Sequence, residues 1–262
     1  MQTDVKHPPV EWFVNKDSIV RKIWGKADTI LFIFGGAAAE FAVNKAVDWL
    51  YFTGRLPADP IGRLFSTVTY ARQIVFSKKE TAHAVIDKMR MIHSAVEQNR
   101  GYQIPDWAYR DVLFMLIHYS LEAYELLYRK LSEAEKEDVF DVFYRVGDRM
   151  GLTGLPSNYQ DWLAMYDEHL ANDIIKSQYT DDLYKQYEKH LGSFRLRILK
   201  EAQVLVIPSQ VNALLNLGKF SLLTPILPLY KLSRKAKLDW WLTSILLPRD
   251  YKKQIKQLNV GA

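Results

Sequence analysis

The stretch "IPDWAYRDVLFMLIHYSLEAYELLYRKL", Ile104 to Leu131, decides the fold class. Pro105 opens it, and its middle, from Val112 to Leu121, presents apolar side chains all around a 3.6-residue wheel. A helix without a polar face belongs in the centre of a larger assembly. Working outward, every neighbouring segment also reads as a helix. Downstream, Ser132 with Glu135 forms a capping box that opens a helix to about Met150. Ser157 reads as the cap of the next helix, within "SNYQDWLAMYDEHLAND". Upstream, Ser77 with Glu80 predicts a second capping box, and the helix that follows carries Val85, Ile86, Met89, Ile92, His93 and Val96 at three- and four-residue spacing before ending near Gly101. Asp59-Pro60 supplies a cap and a first-turn proline for a helix through Arg63 to about Phe76.

The longest clean apolar run, "ILFIFGGAAA" at Ile30 to Ala39, falls short of the about 20 residues that a membrane-spanning helix needs. It therefore reads as a buried helix. No period-2 alternation or hairpin dipeptide occurs, so the expected fold is all-α: a single helical domain over residues 1–262, with a basic amphipathic region from about 204 to 262.

Composition narrows the chemistry. Among 262 residues there is no cysteine, which excludes disulfides, zinc–thiolate sites, iron–sulfur clusters and thiolate-ligated haem together. A metal must be held by the six histidines, by carboxylates or by tyrosine. The first residues, "MQTDVKHPPVEWF", lack a signal-peptide pattern, and an intracellular location is the expectation. The formal charge of +5 is scattered until "YKLSRKAKLDWWLTSILLPRDYKKQIKQ", where lysine and arginine alternate with Trp240, Trp241, Leu246 and Leu247. Such a segment either lies on an anionic membrane surface or docks its apolar face on the core, the second being the commoner use of an amphipathic helix. No nucleic-acid motif or dense basic stripe accompanies it.

Of the histidines, His93 lies on the apolar face of its helix and His118 sits inside "FMLIHYSL". Either is a core histidine satisfied by a hydrogen bond, or a ligand. His7, His83, His169 and His190 flank charged or polar residues and read as solvated. A di-iron bundle needs two Glu-x-x-His motifs plus two further glutamates, and only "ETAH", Glu80 to His83, is present. A histidine-ligated haem needs one imidazole and a dry helical pocket, which the composition permits.

The order of "DPIGRLFSTVTYARQIVF", "KMRMIHSAV", "YSLEAY", "LSEAEKEDVFDVFYRVGDRMGL" and "LPSNYQDWLAMYDEHL" resembles the latex-clearing-protein or rubber-oxygenase family, which includes the fungal MpaB-type oxygenases. The likeness runs from about Phe34 to about Gln203. The family's Arg-x-x-x-Thr is matched by Arg63 and Thr67, and its His-x-x-Val by His93 and Val96. The resemblance implies an all-α fold and a non-covalent haem b whose iron is held by His93, with Arg63, Ser66 and Thr67 on the opposite, distal side. It also implies attack by activated O2 on a hydrophobic, unsaturated, small or lipid-like substrate. Ser66 stands where rubber oxygenases carry a lysine able to reach the sixth coordination position, and a hydroxyl cannot replace that amine. For the family's catalytic glutamate, Glu40 and Asp48 are equally arguable counterparts. A second class stays open beside the oxygenase: a non-catalytic helical protein that binds haem or a hydrophobic ligand, peripheral at a membrane.

Overall fold

The computed structural model describes residues 11–54 and 58–235, and every regular element among them is a helix. In chain order these are α1 (Ile19–Trp24), α2 (Ala27–Val43), α3 (Val47–Phe52), α4 (Pro60–Phe76), α5 (Lys79–Arg100), α6 (Asp106–Leu127), α7 (Glu133–Met150), α8 (Tyr159–Asn172), α9 (Gln178–Leu191), α10 (Ser193–Val204), α11 (Ser209–Leu215) and α12 (Ile226–Lys235). The all-α expectation holds.

Two apolar helices, α2 and α6, form the spine. Their approach is so close at Gly36 that a Cβ there would stand 2.3 Å from two carbons of the Tyr119 ring. Only glycine permits that crossing. Around the pair, α1 wedges Trp24 against Phe34 and Phe143, and the indole N–H of Trp24 donates to Ser120 Oγ at 3.1 Å. On the other side of α2, the fully buried Gln203 of α10 donates to the Gly35 carbonyl at 3.1 Å and accepts from Tyr184 at 2.9 Å. The amphipathic α7 turns Val139, Phe140, Val142, Phe143 and Val146 inward. Burying each large apolar side chain of this kind contributes about 1.5–3 kcal/mol, so the common core dominates the fold.

Several helix ends depart from expectation for local reasons. No side-chain cap from Ser77 opens α5; its first amide, Lys79 N–H, donates instead to the Glu11 carbonyl at 2.9 Å, in an isolated bridge between Trp12 and Lys78. The cap of α8 is Asn158, whose side chain accepts from the Asp161 amide, rather than Ser157. α6 stops at Leu127 and not near Leu131, because Glu125 takes the Leu131 amide at 3.0 Å and pulls the chain out of helical register. The Ser132–Glu135 capping box and the end at Met150 are as expected, with Gly151 closing α7 at φ 80°.

Of the basic segment that begins at Tyr230, residues 236 onward, with Trp240 and Trp241, lie outside the described residues. Just before these, α12 exposes Leu229 and Leu232. No described helix is long and apolar enough to cross a membrane.

Candidate functional site

Asp59 accepts from the Gly62 amide at 2.8 Å and, with Pro60 in the first turn, starts α4 so that Arg63, Ser66 and Thr67 follow within two turns. α5 packs beside α4 and carries His93. His93 is half-buried, and its buried Nδ1 makes no hydrogen bond of good geometry. Burial pushes the imidazole pKa below its ordinary value, the positive charge of Arg63 pushes it further the same way, and Glu97 offsets only part. The ring is therefore neutral at neutral pH, and it feels Arg63 directly. Arg63 thus lies near enough to act on His93 electrostatically, but Arg63, Ser66 and Thr67 do not line the cleft beside it.

The two hydroxyls behave differently. Ser66 Oγ and Thr67 Oγ1 both donate to the carbonyl of Arg63, at 2.7 and 3.2 Å, the back-bond that small hydroxyl side chains make within helices. Val96 lies half-buried one turn beyond His93.

Beside His93 opens a cleft of about 240 Å³, lined by Arg90, Glu97, Ile104, Tyr109 and Met150 among others. Tyr109 meets the imidazole edge-on at 5.2 Å and donates its hydroxyl to Glu97 at 3.0 Å, while Glu97 also accepts from the Ile104 amide. The rim is thus fixed by one carboxylate. As a haem site, the donor chemistry fits, since a neutral imidazole is what iron takes, and the Met89 carbonyl one turn back is the partner that would orient the ring. Its volume is below the about 300–1,000 Å³ of pockets that enclose larger ligands, so loading requires the cleft to widen.

A second constellation was not foreseen. His169, expected to be solvated, is 2% exposed and lies between two carboxylates: Nε2 is 3.0 Å from Glu40 Oε1, and Nδ1 is 3.0 Å from Asp111 Oδ2. Burial alone would lower its pKa, but Asp111 and Glu40 together outweigh that and raise it to about 9. Glu40, fully buried on α2, also accepts at Oε2 from Tyr119 at 2.7 Å and Tyr166 at 2.6 Å. Asn44 donates to Asp111 at 2.8 Å. The charges flanking His169, Asp167 and Glu168, suggested a surface position; the spacing Trp162, Tyr166, His169, Leu170 carried the contrary signal, since it places the histidine on the inward face.

His118 stacks on Tyr166 at 4.7 Å with its Nε2 buried and unpartnered, and burial lowers its pKa to about 4. His83 and His190 are half-buried rather than solvated, His83 resting edge-on against Phe13, and His7 lies outside the described residues. The two counterparts of the family glutamate also separate. Both oxygens of Glu40 are engaged by the clamp, whereas Asp48 pairs with Arg100 at 2.8 Å, at the C-terminal end of the His93 helix, and Arg100 lies over the Trp49 ring at 3.9 Å.

The chain is thus an all-helical, cysteine-free domain with one half-buried imidazole at an open cleft and a second imidazole held between buried carboxylates. More specifically, the chain belongs to the family of ER-bound oxygenases mpaB/B′ and rubber oxygenases, whose catalytic domain matches residues 21–255. That span is wider than the 34–203 over which the motifs resemble the family. No curated protein matches the sequence closely enough to be counted as a relative.

Proposed function

We propose that the protein is a haem b-dependent oxygenase acting on a hydrophobic, unsaturated substrate of small or lipid-like size. One observation carries the reading: His93, whose pKa is lowered by burial and by the charge of Arg63, lines an open cleft within a chain of an oxygenase family. Haem b, when bound, supplies activation of O2. His93 would hold the iron. The guanidinium of Arg63 offers a charge-assisted donor to a carboxylate or to a developing negative charge, and it also keeps His93 unprotonated. Of the two counterparts of the family glutamate, Asp48 has one oxygen paired with Arg100 whereas both oxygens of Glu40 are engaged, so Asp48 is the one of the two better able to accept a proton.

Haemin titration of the purified protein, read at the Soret band, tests the assignment. Saturation at one haem per chain is expected, with His93→Ala losing it and His118→Ala retaining it. A protein that shows no Soret band, or whose His118 variant alone loses it, overturns the assignment.

The second reading, ligand binding without turnover, draws on the Ser66 and Thr67 hydroxyls, both turned to their own helix. Consumption of O2 by the loaded protein in the presence of an unsaturated fatty acid separates the two. Peripheral contact with an anionic membrane through the C-terminal region belongs to the same proposal, supported by Leu229 and Leu232, exposed where the basic segment begins. Co-sedimentation with phosphatidylserine vesicles, sensitive to salt, is the expected result.

A further inference from the structure

We propose that Asp111, His169 and Asp173 form a site for one divalent first-row transition-metal ion, separate from the His93 cleft. One donor atom from each lies within 4.8 Å of the others, the grouping with this property among the described residues. His169 Nδ1 stands 3.0 Å from Asp111 Oδ2 and 3.8 Å from Asp173 Oδ2. Two donors at right angles on one ion, each about 2.1 Å away, are separated by about 3.0 Å, so the first distance is the edge of an octahedral coordination shell.

The imidazole itself points to a ligand. It is 2% exposed, and Nδ1, 3.0 Å from Asp111 Oδ2, makes no hydrogen bond of good geometry; the ion would take the place of the proton that the flanking carboxylates favour there. The opposite nitrogen is the one properly engaged, at 3.0 Å from Glu40 Oε1. That is the arrangement in which a carboxylate orients a histidine and fixes its tautomer, leaving the other nitrogen to face a metal. Glu40 is in turn held by Tyr119 and Tyr166, and Asp111 by Asn44, so the supporting groups are in place before any ion arrives.

The chain geometry explains how three donors converge. His169 and Asp173 are one helical turn apart at the end of α8, and Asp111 comes from α6. The loop bearing Asp173 is tied to the end of α2 by two backbone bonds, Lys45 N–H to the Asp173 carbonyl at 2.8 Å and Ile175 N–H to the Val43 carbonyl at 2.6 Å. Three carboxylates, Glu40, Asp111 and Asp173, surround one imidazole; Lys45 and Arg110 lend positive charge near Asp173 while donating to the backbone carbonyls of Asn172 and Thr153, which leaves the carboxylate oxygens of Asp173 free of a lysine or arginine ion pair among the described residues. One nitrogen and two carboxylates suit zinc, manganese or ferrous iron better than calcium or cuprous copper. Bound there, the ion cross-links α6, α8 and the loop after α8.

The test uses the full chain, stripped with EDTA and then titrated with Zn²⁺ or Mn²⁺, followed by calorimetry, elemental analysis and thermal unfolding. One ion per chain is expected, with Tm raised by roughly 5 °C or more when the free ion is at about 100 times Kd. Asp173 is only partly buried, so Asp173→Asn should fold, as judged by circular dichroism, and bind at least about tenfold more weakly. His93→Ala should keep the ion, which distinguishes this site from any iron held as haem. Absence of stoichiometric binding, an unmoved Tm, wild-type affinity in Asp173→Asn, or loss of the ion in His93→Ala each overturns the proposal.

Discussion

Replacing Gly36 by alanine sets two principles against each other, and the structure decides the sign. Gly36 lies in the interior of α2, where alanine is the better helix former by about 1 kcal/mol. Propensity alone therefore predicts stabilisation. Against it, the new methyl would lie 2.3 Å from Cδ1 and Cε1 of Tyr119 and 3.0 Å from Cγ, more than an ångström inside ordinary carbon contact. The ring has nowhere to go: Tyr119 is fully buried and its hydroxyl is anchored on Glu40 at 2.7 Å. Relief requires either that α2 and α6 move apart or that the tyrosine leaves Glu40. Overpacking costs about 1–3 kcal/mol, and loss of a hydrogen bond to a charged group about 1.5–3 kcal/mol. After the propensity gain of about 1 kcal/mol, a net destabilisation of up to about 2 kcal/mol is expected where one of these costs is incurred and up to about 5 kcal/mol where both are, measured as a fall in the urea midpoint. Gly35→Ala is the control in the adjacent position, where the added methyl meets only Leu199 Cδ1 at 3.5 Å, an ordinary contact; it should be neutral or mildly stabilising. If Gly36→Ala matches Gly35→Ala, the close crossing of α2 and α6 is wrong.

Three further outcomes follow from particular contacts. Tyr166→Phe removes one of the two hydroxyls on Glu40 and should cost about 1.5–3 kcal/mol in urea unfolding; an unchanged midpoint would mean that the clamp contributes nothing. Because burial holds His118 near pKa 4 in the folded chain against about 6.5 when unfolded, its share of stability is complete above pH 6.5 and is lost as pH falls towards 4. His118→Phe should accordingly lose less of its urea midpoint between pH 7 and pH 5 than the wild type, and equal losses would exclude His118 as the cause. In haem-loaded protein, Ser66→Lys should shift the ferric electron paramagnetic resonance signal from high to low spin, whereas a wild-type signal already low-spin would show that another side chain occupies that position.

How much of this was legible beforehand depends on the range of the interaction. Periodicity and caps are local, and they gave the helices, the Asp59-Pro60 start and the Ser132–Glu135 box correctly. Local signals failed where a distant backbone took over a cap: Glu11, more than sixty residues upstream, satisfies the first amide of α5 that Ser77 was expected to serve. The family was readable because Arg63 and His93 each lie in a short helical motif whose order resembles it. The Glu40–His169–Asp111 clamp was not, because it joins three helices through residues 40, 111 and 169, and no spacing rule links polar residues so far apart. Its one local trace, the inward face of α8, was outweighed by the two acidic neighbours of His169.

The two constellations also divide the molecule mechanically. On the side of α2, α6 and α8, the close glycine crossing, the two tyrosines on Glu40 and the buried imidazole between carboxylates lock three helices together through fully buried contacts. Breaking any of these leaves an uncompensated buried charge or a cavity, at several kcal/mol. The His93 helix is held differently. Its polar ties include the hydrogen bond from Tyr109 of α6 to Glu97 and two solvent-accessible ion pairs, Asp87 to Arg149 of α7 and Arg100 to Asp48, each pair contributing about 1 kcal/mol or less. Widening the cleft by moving α5 therefore costs the weak ion pairs and the Tyr109–Glu97 hydrogen bond, while the clamp keeps the α6 wall, with Tyr109 at the cleft and Asp111 in the clamp, in place.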